Sequence, residues 1–355
     1  MSRLRFQNTK QKHQLSVKSN CCYLSAAVIE SISMTTKQLD VIILAGGLRL
    51  SPLRSELKVH ELCLPITQSK SLLAAWLEVI NELKQCRMVV IAVSNQSDAA
   101  QIQQTLDGLK GLNSNLPQTQ VIVEPRRWRG TAGVLRDVAQ EYAKSEILLA
   151  VEGACLPPSS LASFVAACNS EKTGAVGITH KSDPVGVYVF HRSVMKHVPT
   201  VGFFDVKEQL LPQMYAKKIG AHAVQISNNF IRLRDRQTYL SAMSEYALQQ
   251  DNSDSCVNGK VPQSNKNYQL VDTCVIEPTA FVGDGSVLRR SIVFTGAKIG
   301  VNTVINECII GSGVVVPNGL IVSQTIVTQE NISSIMSREK SRAHRTKLRK
   351  RAIRN

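Results

Sequence analysis

Between Ile276 and Val316, apolar residues return every sixth position with occasional slips to five: Ile276, Val282, Leu288, Val293, Ile299, Ile305, Ile310 and Val316. Three of them open an apolar-Gly pair, at Val282-Gly283, Ile299-Gly300 and Ile310-Gly311. An ordinary β-sandwich would alternate every two residues and turn on hairpin dipeptides, which are sparse here. A six-residue period with small residues after the apolar one instead marks a β-helix, in which each flat face of a coil takes one hexapeptide.

The chain ahead of this repeat is patterned differently. Short apolar runs (Val41 to Leu44, Met88 to Val93, Gln120 to Val123, Glu146 to Val151, Ala175 to Thr179, Val185 to Phe190) alternate with helical segments near 71–85, 98–109, 130–142 and 158–168. Such alternation predicts a mostly parallel sheet with helices on its faces. In the helix near 71, Leu72, Leu73, Trp76, Leu77, Ile80 and Leu83 share one side, which packs on the sheet. From Gln249 to Asn267 the sequence turns to Gln, Asn, Asp, Ser and Lys and reads as a linker. The expected organisation is a leader over 1–37, an α/β domain over 38–247, a linker over 248–267, a hexapeptide β-helix over 268–330 and a basic tail over 331–355.

The net charge of +15 suggests a nucleic-acid binder until it is divided along the chain. Residues 1–40 carry six Lys/Arg against two acids and Arg338 to Arg354 nine against one, so the two ends hold +12 and the body only +3. Nucleic acid is therefore not an expected partner except through the basic tail. No apolar stretch approaches the roughly 20 residues of a membrane span, so no membrane partner is expected. The nine cysteines are odd in number and lack the paired close spacing of a zinc site. They read as reduced thiols of a cytoplasmic protein, with Cys63, Cys168 and Cys308 in apolar runs. The Ser-rich, basic leader lacks an apolar targeting segment, and reads as an extension or as sequence ahead of a true start at Met34.

Two motifs carry chemistry. The buried strand from Asp40 to Leu44 runs into Ala45-Gly46-Gly47, with Arg49 shortly after. Missing side chains let backbone N–H groups approach phosphates or a base, and Arg49 can neutralise phosphate. The alternative is a tight turn that needs glycine for a positive φ. The second motif, Glu124-Pro125-Arg126-Arg127-Trp128-Arg129-Gly130-Thr131-Ala132-Gly133, follows a strand and enters a helix. Both lie where a parallel sheet binds ligands, at the carboxyl ends of its strands. An Arg of the Arg126 to Arg129 run could contact phosphate there, and Trp128 could stack on a base.

On these motifs, with Leu64-Pro65-Ile66, Tyr188-Val189-Phe190, Leu211-Pro212 and Tyr239-Leu240 in the same order, the chain resembles the sugar-phosphate nucleotidyltransferases that make nucleoside-diphosphate sugars. The resemblance covers roughly residues 38–327. It implies a Rossmann-like, mostly parallel sheet followed by a short left-handed β-helix, and a nucleotide held by Leu44, Ala45, Gly46, Gly47, Gly130, Thr131 and Ala132. Arg49 is the candidate catalytic cation, Lys181 the remaining candidate for the sugar phosphate, and Mg²⁺ the implied cofactor of an active member. It also implies a nucleotide or nucleotide sugar as partner and homo- or hetero-oligomers through the β-helix.

The sequence departs from the family pattern in five places. Arg49 follows Gly47 without the usual Gly-Thr, and the family's lysine falls on Glu61. The two metal-binding carboxylates fall on Ala154 and Arg232, leaving Glu152 and Asp235 as the nearest acids, and the sugar-binding insert shrinks to His180 to Pro184. Loss of one catalytic group often costs about 100-fold or more. The expected function is thus a nucleotidyltransferase-type protein with weak or lost turnover. The alternatives are an active enzyme with relocated metal ligands and a nucleotide-sugar-sensing or scaffold subunit.

Overall fold

The computed structural model describes residues 38–47, 49–113, 115–126, 128–167, 174–179, 182, 184–227, 231–249 and 267–338. The leader with Met34, most of the linker, Lys181, Arg127, Cys168 and the tail beyond Arg338 lie outside these.

The first part is one seven-stranded sheet. Its strands are β1 (Leu39–Leu44), β2 (Cys86–Val93), β3 (Thr119–Val123), β4 (Ile147–Glu152), β5 (Gly174–Thr179), β6 (Pro184–His191) and β7 (Ala221–Ser227). The order is β3-β2-β1-β4-β6-β5-β7, and β6 alone runs antiparallel to its neighbours β4 and β5. The expected mostly parallel sheet is therefore present. Successive side chains of a strand point to opposite faces, and β1 shows the result: Val41 and Ile43 enter one core, Ile42 the other. On the first face pack α2 (Leu72–Asn81), α3 (Gln96–Leu112), α5 (Leu161–Ala167) and α7 (Arg236–Gln249); on the second, α4 (Gly130–Glu141) and α6 (Leu211–Ala216). Ser71 starts α2 by accepting the Ala74 N–H at 3.2 Å, and Asn95 starts α3 in the same way from Asp98 at 3.0 Å.

Besides α6 and α7, which are not among the helices expected from the sequence, β7, a short helix and a π-helical turn are also absent from that reading. Strand β7 is an edge strand with Ala221, His222, Ala223 and Gln225 exposed, so it carries no apolar period. The six-residue α1 (Pro52–Leu57) begins at a Ser51 cap. A π-helical turn, Val206–Leu210, opens at Asp205 and runs into α6.

The second part is a coil of short parallel strands in three stacks. One holds Gln269–Val271, Val287–Arg289, Val304–Asn306 and Ile321–Ser323; a second Val275–Ile276, Ile292–Val293, Ile309–Ile310 and Ile326–Val327; the third Phe281–Val282, Lys298–Ile299 and Val315–Val316. These fit a short left-handed β-helix. The period-six residues Val282, Leu288, Val293, Ile299, Ile305, Ile310 and Val316 are all buried inside it. Ser286 and Ser291, both fully buried, accept the N–H groups of Thr303 and Cys308 seventeen residues on, at 3.0 Å each, which satisfies donors at the coil corners. The chain continues past the last strand into a helical turn whose Ile332 and Ile335 pack on the coil core.

In the second stack Val293, Ile310 and Val327 point into the coil, whereas Val275, Ile292, Ile309 and Ile326 point out and join the core beneath α7. Arg290 Nη2 donates to Ser241 Oγ at 3.0 Å, and Arg236 Nη1 to the Glu307 carbonyl at 2.6 Å, across the same seam.

Candidate functional site

The carboxyl ends of β1, β2, β3 and β4 end side by side over a crevice. Its larger section, about 850 Å³, is lined by Leu44, Ala45, Gly46, Gly47, Arg49, Thr131, Glu152, Ala154, Asp205, Lys207, Arg232 and Arg234 among others. A smaller section of about 300 Å³ adjoins it and is lined by Leu44, Gly46, Gly47, Ser94, Glu124, Trp128, Arg129, Gly130, Thr131, Val134, Phe203 and Asp205. The structure thus gathers Leu44, Ala45, Gly46, Gly47, Arg49, Gly130 and Thr131 at one place.

The glycines earn their positions differently. Neither Gly46 nor Gly47 adopts a positive φ, so the tight-turn reading does not hold for them. A Cβ on Gly46 would collide with the Glu124 carboxylate and come 2.6 Å from Ser94 Oγ; close approach is what excludes a side chain. Gly130 has φ +69 and its Cβ would fall 2.6 Å from the Phe204 carbonyl, so both conformation and space require glycine there.

Ala132 departs from its expected role. It is fully buried, it lines neither section, and its N–H, like that of Gly133, donates to the Phe204 carbonyl at 3.0 Å. The start of α4 is thereby closed by the 199–206 loop, so these donors do not face a ligand. Thr131 ties the same loop down, donating to Asp205 Oδ2 at 2.7 Å and accepting from Val206 N at 2.9 Å.

Arg129 also serves the fold. It is 3% exposed, pairs with Asp137 at 2.9 Å, and donates to the carbonyls of Pro199 (2.6 Å) and Gly202. These partners occupy its guanidinium, although the residue also lines the smaller section. Arg126 Nη1 donates to the Thr200 carbonyl at 2.6 Å. Trp128 stands 67% exposed at the crevice rim, with φ +61.

The positions expected to bind metal are filled by an ion cluster. The segments 154–156 and 231–233 pair through Leu233 N to the Ala154 carbonyl (2.8 Å) and Leu156 N to the Ile231 carbonyl (3.2 Å). This pairing sets Arg232 beside the end of β4, where its Nη2 contacts Glu152 Oε2. Lys207 Nζ reaches Glu152 Oε1 at 3.0 Å, and the Tyr188 hydroxyl approaches the same oxygen at 3.4 Å. Burial, with Arg234 adding repulsion, lowers the Arg232 pKa, and burial lowers that of Lys207.

The donor set does not fit a divalent cation. Mg²⁺ wants several oxygen ligands in octahedral array; here Ala154 offers none from its side chain, and both oxygens of Glu152 face cations. Asp235 lies outside the crevice lining, where it caps α7 by accepting the Thr238 N–H at 2.8 Å. Among the described residues no three His, Cys, Asp or Glu side chains are grouped to hold a metal.

Glu61, where the family's lysine falls, is buried and accounted for. Ser51 donates to it at 2.6 Å, and Arg54, 3.8 Å away, also pairs with Asp98. His60 beside it donates from Nε2 to the Ala45 carbonyl at 2.9 Å while Nδ1 accepts from Leu62 N at 3.1 Å; burial lowers its pKa and keeps it neutral. It braces the loop after β1.

Ser94, Asp205 and Lys207 enter the crevice unannounced by the sequence, and Glu124, which opens the second motif, enters it without an assigned role. Lys207 and Asp205 sit just ahead of the Leu211-Pro212 segment, and that adjacency was the available signal. Ser94 follows β2 directly, as Glu124 follows β3, at the strand ends where ligands bind.

Fold and crevice together define a class: an α/β sheet with a glycine-lined ligand edge, continued by a hexapeptide β-helix. Residues 247–333 match the protein family described as GlmU-like, C-terminal hexapeptide. Among solved structures, one titled as HddC from Yersinia pseudotuberculosis matches at 17% identity and a TM-score of 0.44, over 58% of this chain and 99% of that one. No curated protein sequence matches the chain. Among the described residues no helix is long and apolar enough to cross a membrane.

Proposed function

We propose that this protein binds a nucleotide or nucleotide sugar in the crevice and has weak or lost nucleotidyl transfer. The observation that carries the reading is the Arg232–Glu152–Lys207 cluster at the floor of a crevice otherwise built for a phosphorylated ligand. Transfer at phosphorus needs charge stabilisation and in-line positioning, supplied in the resembled family by a metal on carboxylates. Here two fixed side-chain cations stand at that spot. Arg49 and Arg234 line the same crevice and form no ion pair among the described residues, so they are the cations open to a phosphate.

An active enzyme with relocated ligands is the less favoured reading. Glu152 would have to shed two cations, and Asp235 would have to abandon its helix. Assembly through the β-helix accompanies the favoured reading, with exposed Phe281, Val315 and Ile321 as the apolar surface.

Two measurements test the proposal on the full chain. Nucleoside diphosphates and nucleotide sugars should raise the melting temperature in the presence of a chelator, since a ligand of the native state stabilises it. Incubation with nucleoside triphosphates, sugar 1-phosphates and Mg²⁺ should release little pyrophosphate. Sustained release near the roughly 1–1,000 s⁻¹ of ordinary enzymes would overturn the loss of transfer.

A further inference from the structure

The smaller section of the crevice has the chemistry of a base pocket, and two carboxylates line it: Asp205, whose oxygens accept from Thr131, Lys207 N and Glu208 N, and Glu124. The chain leaves β3 through Glu124, whose N–H donates to the Val93 carbonyl at 2.8 Å. Its carboxylate lies over Gly46, in the space a Cβ there would take, and accepts a hydrogen bond from Ser94. Ser94 Oγ in turn accepts the Gly47 N–H at 2.9 Å and lies 3.5 Å from the Gly47 carbonyl. The carboxylate therefore sits between the ends of β1 and β2. Leu44 and Val134 supply apolar walls, and Trp128 and Phe203, 67% and 50% exposed, stand at the mouth. Trp128 is kept at φ +61, a conformation that costs a non-glycine residue energy and that clusters at ligand sites.

We infer that Glu124 makes this pocket selective for guanine nucleotides. A carboxylate is an acceptor with two parallel oxygens. Guanine is the base that presents two adjacent donors, N1–H and the 2-amino group, on one edge. Uracil and thymine offer a single N–H between two carbonyl oxygens, which a carboxylate repels. Adenine and cytosine offer one amino group beside a ring nitrogen acceptor. A site whose buried polar group is matched by one partner rejects those that leave it unpaired far more strongly than an apolar pocket can. Trp128 or Phe203 stacks on the base face, which any base offers, so they add affinity and the acid supplies the choice.

The inference rests on the proposed nucleotide binding and is separable from it. Titration calorimetry of the full chain with GDP, IDP, UDP, dTDP, ADP and CDP reads both. GDP should bind tightest, and IDP, which lacks only the 2-amino group, about 10- to 100-fold more weakly, the worth of one hydrogen bond to a charge. Glu124→Gln, nearly isosteric, should weaken GDP by a similar factor without changing the melting temperature of the free protein, and should narrow the gap to UDP. UDP or dTDP binding as tightly as GDP, or a Glu124→Gln variant with unchanged GDP affinity, would overturn guanine selection while leaving nucleotide binding in place. Heat from none of the six would overturn the nucleotide reading itself.

Discussion

Replacing Arg232 by Met removes the guanidinium from Glu152 while keeping the apolar stem of the side chain. The Glu152 side chain is 12% exposed and that of Arg232 29%. Removing one partner of a fully buried pair costs about 3–5 kcal/mol because the other charge is left uncompensated. Two features reduce that here: Lys207 still neutralises Glu152 at 3.0 Å, and the guanidinium reaches solvent in part. The expected loss is about 1–2 kcal/mol, a fall of roughly 2–8 °C for a domain of this size. Urea unfolding followed by circular dichroism measures it, and combining Arg232→Met with Glu152→Gln should return most of it, because the carboxylate that needed the cation is gone. A second arm tests the metal argument. Ala154→Asp with Arg232→Asp should make the protein gain stability on adding Mg²⁺, by about 2.7 kcal/mol when the ion reaches 100 times its dissociation constant, whereas the unaltered chain should not respond. If Arg232→Met left stability within about 0.3 kcal/mol of the parent and the parent itself were stabilised by Mg²⁺, the account of Arg232 as the cation that displaces a metal would fail.

Two further outcomes follow from the buried charges. Asp40 is fully buried; burial alone would raise its pKa, but hydrogen bonds from Arg87 Nη2 (2.7 Å), Ser145 N (2.8 Å) and Lys144 N (2.7 Å) outweigh that and hold it below the usual carboxylate range. A depressed folded pKa contributes stability above the unfolded value near 4, lost as pH falls through the folded pKa; Asp40→Asn should therefore cost about 2–4 kcal/mol at pH 7, the gap closing in unfolding curves taken at progressively lower pH. Arg129→Met should cost about 2–3 kcal/mol, because the 199–202 carbonyls lose their donors while Arg136 still pairs with Asp137 at 3.0 Å, and nucleotide affinity measured well below the melting transition should change little; a large loss of affinity in a still-folded variant would restore a ligand role to Arg129.

How much was legible beforehand differs by element. The hexapeptide period was readable because each apolar residue of the coil meets the same environment one face later, so the pattern repeats without reference to anything distant. Strands β1 to β6 were readable because each is a short apolar run. Strand β7 was not, since an edge strand has little apolar surface to bury and its pairing with β5 fixes it instead. The outward half of the coil's second stack, Ile292 and Ile309, carried no sign that it would pack beneath α7, because an apolar residue looks alike whether it faces the coil interior or another domain.

The site divides along the same line. The sequence alone determined which residue types stand at the strand ends, and, on the resemblance, that Ala154 and Arg232 fall where the resembled family carries carboxylates. Only the tertiary structure decided what those residues do: it brings Arg232 and Lys207, from segments distant in the chain, onto Glu152, closes Ala132 and Arg129 under the 199–206 loop, and sets Glu124 over Gly46. The physical reason is that charge pairing and steric exclusion act over a few ångströms in space, and a distance of that kind between residues 80 positions apart is set by the packed sheet and written nowhere in the local sequence.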